Sequence, residues 1–283
     1  MNRVRTDPPA KEIHYPTSDG KPMAETDHHR DLMLALIETL KTWFASNDRI
    51  YVSGNLLYYY VPGDKRRHVS PDVFVVRGVP NHRRKYYLAW EEGKHPSVVI
   101  ELTSSSTRRE DTRKKFELYR DVLKVKEYFL YDPYGDYLKP QLQGYRLAKG
   151  QYVPIALRDG RMPSQGLGLH LEADGNDVRL YDPATNAWLL TPSERAEEAE
   201  DRAEIQTEIA AQQREIAAQQ REVAAQQREI AAAAAARAAV AERHAAALEQ
   251  QRQAIEQAKQ AVDAENEQLR RELERLRGGK KPS

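Results

Sequence analysis

The chain has 283 residues, no cysteine, 31% charged and 40% hydrophobic residues, and a formal net charge of +1. That excludes a disulfide framework and a cysteine-ligated zinc or iron–sulfur centre. No apolar run reaches the roughly 18 residues needed to cross a bilayer, and the first residues lack the apolar core of a signal peptide, so the expectation is a soluble cytoplasmic protein with no membrane partner.

Residues 1–18, polar and containing three prolines, read as a flexible N-terminal segment. A folded domain is expected over 19–191. It starts with a helix capped by Thr26, whose apolar face is assigned to Leu32, Leu34, Leu36, Ile37, Leu40, Trp43 and Phe44. Short β-rich runs follow at 50–53, 56–61, 72–76, 85–90 and 97–102, then a polar helix over 107–123 and a further strand over 127–132. After Pro133, short strands with glycine turns read as an antiparallel β extension. The domain is therefore expected to be α/β, a mixed sheet core with flanking helices.

The composition changes sharply near Pro192. From there to Gly278 the chain holds neither glycine nor proline, and Ala, Glu, Gln and Arg dominate. The near neutrality of the whole is also divided here: residues from Ser193 onward carry −3 and the rest +4. Residues 192–277 read as one long helix, with 278–283 as a disordered end. Ile209, Ile216, Val223 and Ile230 recur every seven residues, and Leu248, Ile255, Val262, Leu269 and Leu276 do so in a register shifted by four, as a stutter produces. At ~1.5 Å per residue, roughly 85 helical residues extend about 125 Å. A coiled coil that joins two chains, or binds a partner, is the functional expectation. A solvated, alanine-stabilised helix is the alternative, because Gln or Ala fills the companion position of the first stripe.

Two acidic residues stand at the ends of apolar strands, where β propensity disfavours them. Asp72 precedes Val73-Phe74-Val75-Val76, and Glu101 follows Val98-Val99-Ile100. Converging, they would offer oxygen ligands of the kind Mg²⁺ takes; apart, they are strand-end acids bonded to backbone N–H groups. On the following helix Asp111, Lys115 and Tyr119 lie four apart and share a face. If that face packs on the Glu101 strand, the Lys115 ammonium could orient a water for attack on phosphorus or stabilise phosphoryl charge. The plainer alternative is a surface Asp111–Lys115 ion pair.

The stretch SPDVFVV, with PSVVIELTSSSTRREDTRKKFELYRDVLKVKEYFLYDP, resembles the Uma-two family of restriction-endonuclease-like proteins, a branch of the PD-(D/E)XK nuclease superfamily. The similarity runs from about Asp19 to Pro133, and more loosely to the strands near Asp182. It implies a restriction-endonuclease-like fold, DNA as substrate, Asp72 and Glu101 as metal-binding catalytic acids with Mg²⁺ or Mn²⁺, and Lys115 as the catalytic lysine. The departure is Thr103, which stands where the superfamily's Glu-X-Lys tripeptide carries lysine, so Lys115 would be a migrated lysine. The resemblance also draws attention to Glu25 and His29 as accessory groups, although Glu25 near a helix start is equally explained by the helix dipole. Arg66, Arg67, Arg84, Arg108 and Arg109 are the expected DNA contacts, from basic clusters flanking the two acids. The rival functions are a catalytically silent DNA-binding protein on the same fold and a coiled-coil scaffold.

Overall fold

The computed structural model describes residues 14–18, 26–104 and 107–278. The chain divides into two compact units, Met1–Glu200 and Asp201–Ser283.

The first unit is built on a six-stranded mixed sheet. Its strands are β1 (Ile50–Ser53), β4 (Val73–Arg77), β6 (Val98–Leu102), β7 (Glu127–Tyr131), β8 (Leu142–Ala148) and β9 (Gln151–Pro154), in that spatial order. Only the β6–β7 pairing within this sheet is parallel. A parallel pair needs a crossover, and the segment between Leu102 and Glu127 supplies it as two π-helical stretches, Glu110–Lys115 and Leu118–Val122. Four further strands, β10 (Met162–Ser164), β11 (Leu169–Asp174), β12 (Asp177–Asp182) and β13 (Ala187–Trp188), make an antiparallel sheet. The short strands β2 (Tyr58–Tyr59), β3 (His68–Val69) and β5 (Tyr87–Leu88) form a third, and α2 (Ala89–Glu92) follows directly. The extension expected after Pro133 is therefore shared: β8 and β9 complete the core sheet, and only β10–β13 stand as a separate sheet.

Helix α1 (Asp27–Trp43) starts where the sequence places it, with Thr26 Oγ1 accepting the His29 N–H at 3.2 Å. It buries Leu32, Met33, Leu36, Ile37 and Leu40, each worth about 1.5–3 kcal/mol of transfer free energy. Leu34, assigned by sequence to this face, is half exposed, and Met33 takes the inward position instead. The helical step of about 100° explains it: Leu32, Met33, Leu36 and Ile37 span one arc, and Leu34 falls outside it.

Alternation along the central strands sorts their side chains into two cores. Val73, Val75, Val98, Ile100 and Leu102 join α1 and the second sheet in one. Phe74, Val76 and Val99 join Tyr119, Leu123 and Tyr128 in the other. A third cluster holds Tyr15, Leu57, Tyr59 and Leu88. Residues 14–18, expected in a flexible leader, are thus anchored: Tyr15 is buried, its hydroxyl accepts the Gly63 N–H, and Tyr59 donates to the Pro16 carbonyl.

Helix α3 (Pro192–Gly278) runs without a break for 87 residues. Arg179 donates two hydrogen bonds to Glu194 in its first turn, whose carboxylate also accepts the Thr191 N–H. From Asp201 onward both apolar stripes lie exposed wherever their side chains are described, Ile209, Ile216, Val223 and Ile230 as well as Leu248, Ile255, Val262 and Leu269. Among the described residues no helix is long and apolar enough to cross a membrane.

Candidate active site

The two strand-end acids are neighbours because β4 and β6 are adjacent and antiparallel. Val73 pairs with Ile100, so one step further along the ladder sets Asp72 opposite Glu101. Both residues have the parity of Phe74 and Val99, which sends their side chains to the face covered by the π-helical crossover. The Asp72 backbone is fixed from behind. Asn55 N–H donates to Pro71 O at 2.8 Å, and a Cβ on Gly54 would stand 1.9 Å from the Asp72 carbonyl oxygen, so only glycine permits this approach.

Glu101 is fully buried and both of its carboxylate oxygens are engaged. Lys115 Nζ donates to Oε2 at 2.8 Å, and Tyr119 Oη donates to Oε1 at 2.6 Å. The Asp72 backbone N–H also points at Oε2, at 3.4 Å. Lys115 reaches Asp111 Oδ1 at 3.1 Å, and Asp111 Oδ2 accepts the Thr103 hydroxyl at 2.8 Å. Thr103 meets Tyr137 Oη on its other side. The crossover therefore presents Asp111, Lys115 and Tyr119 to the sheet as one row, and Thr103, at the position of the standard lysine, holds the acid that holds the lysine. Two successive π-helical stretches carry this row, a form of helix that occurs frequently at functional sites.

Asp72 sits at the other side of the cluster. Its Oδ2 accepts the Leu102 N–H at 2.8 Å and lies 3.6 Å from His29 Nε2, which arrives from α1. Burial pushes the Asp72 carboxyl up, but the His29 contact, the Lys115 charge and the Leu102 N–H outweigh it and hold the group below its usual range. Burial pushes Glu101 well above its ordinary value; the negative charges of Asp72 and Asp111 add to this and the Lys115 ammonium only partly offsets it. Burial alone would lower the Lys115 pKa, yet the three surrounding carboxylates raise it, so the ammonium is retained.

The cluster opens on a cavity of about 970 Å³ whose wall includes His29, Arg67, His68, Asp72, Asp111, Lys114 and Lys115. Arg66 and Arg67 are exposed beside it, as are Arg108 and Arg109 at the start of the crossover; Arg108 lies over the Tyr137 ring at 5.2 Å. Arg84 is different. Its side chain is 4% exposed, clamped by Glu92 and by the carbonyls of Pro80 and His82, and stacked on Tyr51 at 4.1 Å. Four of its five N–H groups are taken by these partners and the side chain is shielded from solvent, so it serves as a structural cation here and not as the exposed DNA contact the sequence suggested. Glu25 lies outside the described residues.

The model of the Uma2 family, described as "Putative restriction endonuclease", matches residues 5–176, more than half of the chain. The chain belongs to the Uma2 family. Among solved structures it is similar to "a putative nuclease belonging to DUF820" from Anabaena variabilis, at 18% identity and a TM-score of 0.40, covering 55% of this chain and 85% of that one. No curated protein matches it. The Uma2 match contains Asp72, Glu101, Asp111, Lys115 and Tyr119, and stops short of α3.

Among the described residues no three His, Asp or Glu side chains form a ready metal cage. The donor chemistry nevertheless fits a hard divalent cation of the Mg²⁺ kind, which takes one or two protein carboxylates and fills its remaining positions with water and substrate oxygens. Three carboxylates, those of Asp72, Glu101 and Asp111, face a single ammonium, which leaves the buried cluster with an excess of negative charge.

Sequence reading missed the part played by Thr103 and Tyr137. Thr103 stood out only as a departure from the tripeptide, and its use as an anchor for Asp111 needs the fold to be known. Tyr137 follows a turn built on Asp132, whose carboxylate accepts the N–H groups of Gly135, Tyr137 and Leu138; no periodicity in the sequence marks it.

Proposed function

We propose that this protein is a metal-dependent endonuclease that hydrolyses DNA phosphodiester bonds, working as a dimer through α3. The observation that carries the reading is the cluster of Asp72, Glu101 and Lys115, of which Asp72 and Lys115 line one large cavity flanked by Arg66, Arg67, Arg108 and Arg109 while Glu101 lies buried behind them. Family membership supports the nuclease class.

In this reading Asp72 and Glu101 hold Mg²⁺ or Mn²⁺. The metal, when bound, supplies Lewis-acid polarisation of the scissile phosphate and a bound water of lowered pKa. The chain's own residues do the rest. Leu102 N–H and His29 hold Asp72 in place, and the Tyr119 hydroxyl holds Glu101 by the oxygen that Lys115 does not use. Lys115, kept cationic by Asp111, moves off Glu101 Oε2 to orient the attacking water or to neutralise charge growing on the phosphoryl oxygens. Arg67 and Lys114 on the cavity wall, with Arg108 and Arg109 nearby, meet the flanking phosphates.

A supercoiled-plasmid assay with Mg²⁺ or Mn²⁺ tests this, comparing wild type with Asp72→Ala, Glu101→Ala and Lys115→Ala prepared in parallel. Nicking by wild type alone is the expected result. Equal residual cleavage in all four proteins would identify a contaminant and remove the assignment. Tight plasmid binding without cleavage by folded wild type would favour a silent DNA-binding protein instead.

A further inference from the structure

The orientation of the two tails is written in the last heptads of α3. We infer that α3 pairs with a second copy of itself as a parallel, in-register two-stranded coiled coil, nucleated between Leu248 and the end of the helix. This rests on the dimer reading above and specifies its partner, direction and register.

Leu248, Ile255, Val262 and Leu269 recur every seven residues and are each more than half exposed among the described residues, so they form an apolar seam along the helix. With that series at position d, Arg252, Lys259, Asn266 and Leu273 fall at a. Asparagine at a single a position is a device that fixes register and oligomeric state, because its amide is satisfied only by its own counterpart across the seam. Arg252 and Lys259 at a weaken the first two layers. Their apolar stems lie along the seam and their charges leave it toward position e, where Glu256 and Asp263 carry the opposite sign.

Asn266 and the glutamates at g together point to the direction. In a parallel pair, g of one helix meets e of the next heptad on the other, and this sets Glu265 against Arg270 of the second copy; the following heptad repeats the letters at Glu272 and Arg277. In an antiparallel pair g meets g, where Glu265 and Glu272 find no cation because the other g residues are Gln251 and Ala258, and a meets d, so Asn266 would face an apolar side chain instead of its counterpart. The intrahelical ion pair of this stretch, Glu267 to Arg271 at 2.8 Å, joins positions b and f on the outward face. Among the described residues Glu265, Arg270 and Glu272 have no ion pair within their own helix, so the charges beside the seam remain available for a partner. A parallel pair also brings together the N-terminal ends of both helices, from which each chain leads back to its own Uma2-matched region.

The absence of cysteine makes the test clean. Full-length single variants Leu248→Cys, Val262→Cys and Leu269→Cys are oxidised mildly and run on non-reducing gels, with the mass of the reduced protein measured by light scattering. Parallel in-register pairing brings like residues together at every d layer, so all three variants should cross-link into dimers. A dimeric mass with cross-linking at no more than one of the three sites would overturn the orientation while leaving the dimer reading intact. A monomeric mass at micromolar concentration would overturn both, and neither outcome bears on plasmid cleavage. Charge reversal gives an independent check: Glu265→Arg should weaken dimerisation about tenfold, and adding Arg270→Glu should restore it. No rescue by the double variant would also contradict the parallel arrangement.

Discussion

The cluster around Glu101 and the helix α3 use charge in opposite ways. In the first, carboxylates, an ammonium and a tyrosine hydroxyl are packed into the interior, where each charge depends on its neighbours for solvation. In the second, charges lie in water along an exposed helix, as in the surface ion pair of Glu267 and Arg271. A single charge removed from the interior leaves a partner stranded. One removed from the helix surface is replaced by water. The contrast separates the residues proposed for chemistry from those proposed for association, and it can be attacked at several points.

The largest effects should fall on catalysis. Asp72→Asn and Glu101→Gln preserve size and should each lower plasmid cleavage by about 10³-fold or more, read from initial nicking rates. Next is stability. Lys115→Ala leaves the Glu101 and Asp111 carboxylates without their cation and should cost about 3–5 kcal/mol in denaturant unfolding. Ile216→Ala on α3 should change the unfolding of the same unit by less than about 0.5 kcal/mol; comparable losses from the two would erase the contrast. Gly54→Ala should cost about 1–3 kcal/mol, because the new methyl group must displace the Asp72 carbonyl or Ile37, and it should lower cleavage with it. Tyr119→Phe, which removes a single hydrogen bond to Glu101, should cost about 1–2 kcal/mol.

The smallest effect concerns pH. Burial pushes the Asp132 carboxyl up, but the N–H groups of Leu138, Tyr137, Asp136 and Gly135 outweigh it and hold the folded pKa below the ordinary 3.8. A group depressed in the folded state stabilises it fully above the unfolded pKa, and that contribution fades as pH falls through the folded value. Thermal melts between about pH 5 and 2.5 should therefore decline less steeply for Asp132→Asn than for wild type; identical slopes would show that the turn does not depend on ionisation.

Much of this architecture can be read from the residues themselves. Val98-Val99-Ile100 and Tyr128-Phe129-Leu130 are apolar on both faces, which is what central strands buried on two sides require, and a helix between two such runs implies the parallel crossover. The four-residue spacing of Asp111, Lys115 and Tyr119 gave them a common face, and the structure brings all three to one cluster. The π-helical winding was not legible, because the polar stretch that forms it fits an α-helix equally well. Arg84 looked like a phosphate contact because a basic run in a loop usually faces solvent; its burial depends on Glu92, Tyr51 and two carbonyls that only the fold assembles. The anchoring of residues 14–18 was hidden for the same reason, since the pocket of Tyr15 is made by Tyr59, Leu88 and Trp90, far along the chain.

The central claim is that Asp72 and Glu101 together form a metal-dependent catalytic centre. Isothermal titration of Mn²⁺ into the full-length protein, beside Asp72→Asn and Glu101→Gln variants shown to be folded by circular dichroism, tests it most directly. The prediction is one binding event per chain in wild type that is lost in both variants. No binding by wild type, or binding unchanged in the variants, would contradict it.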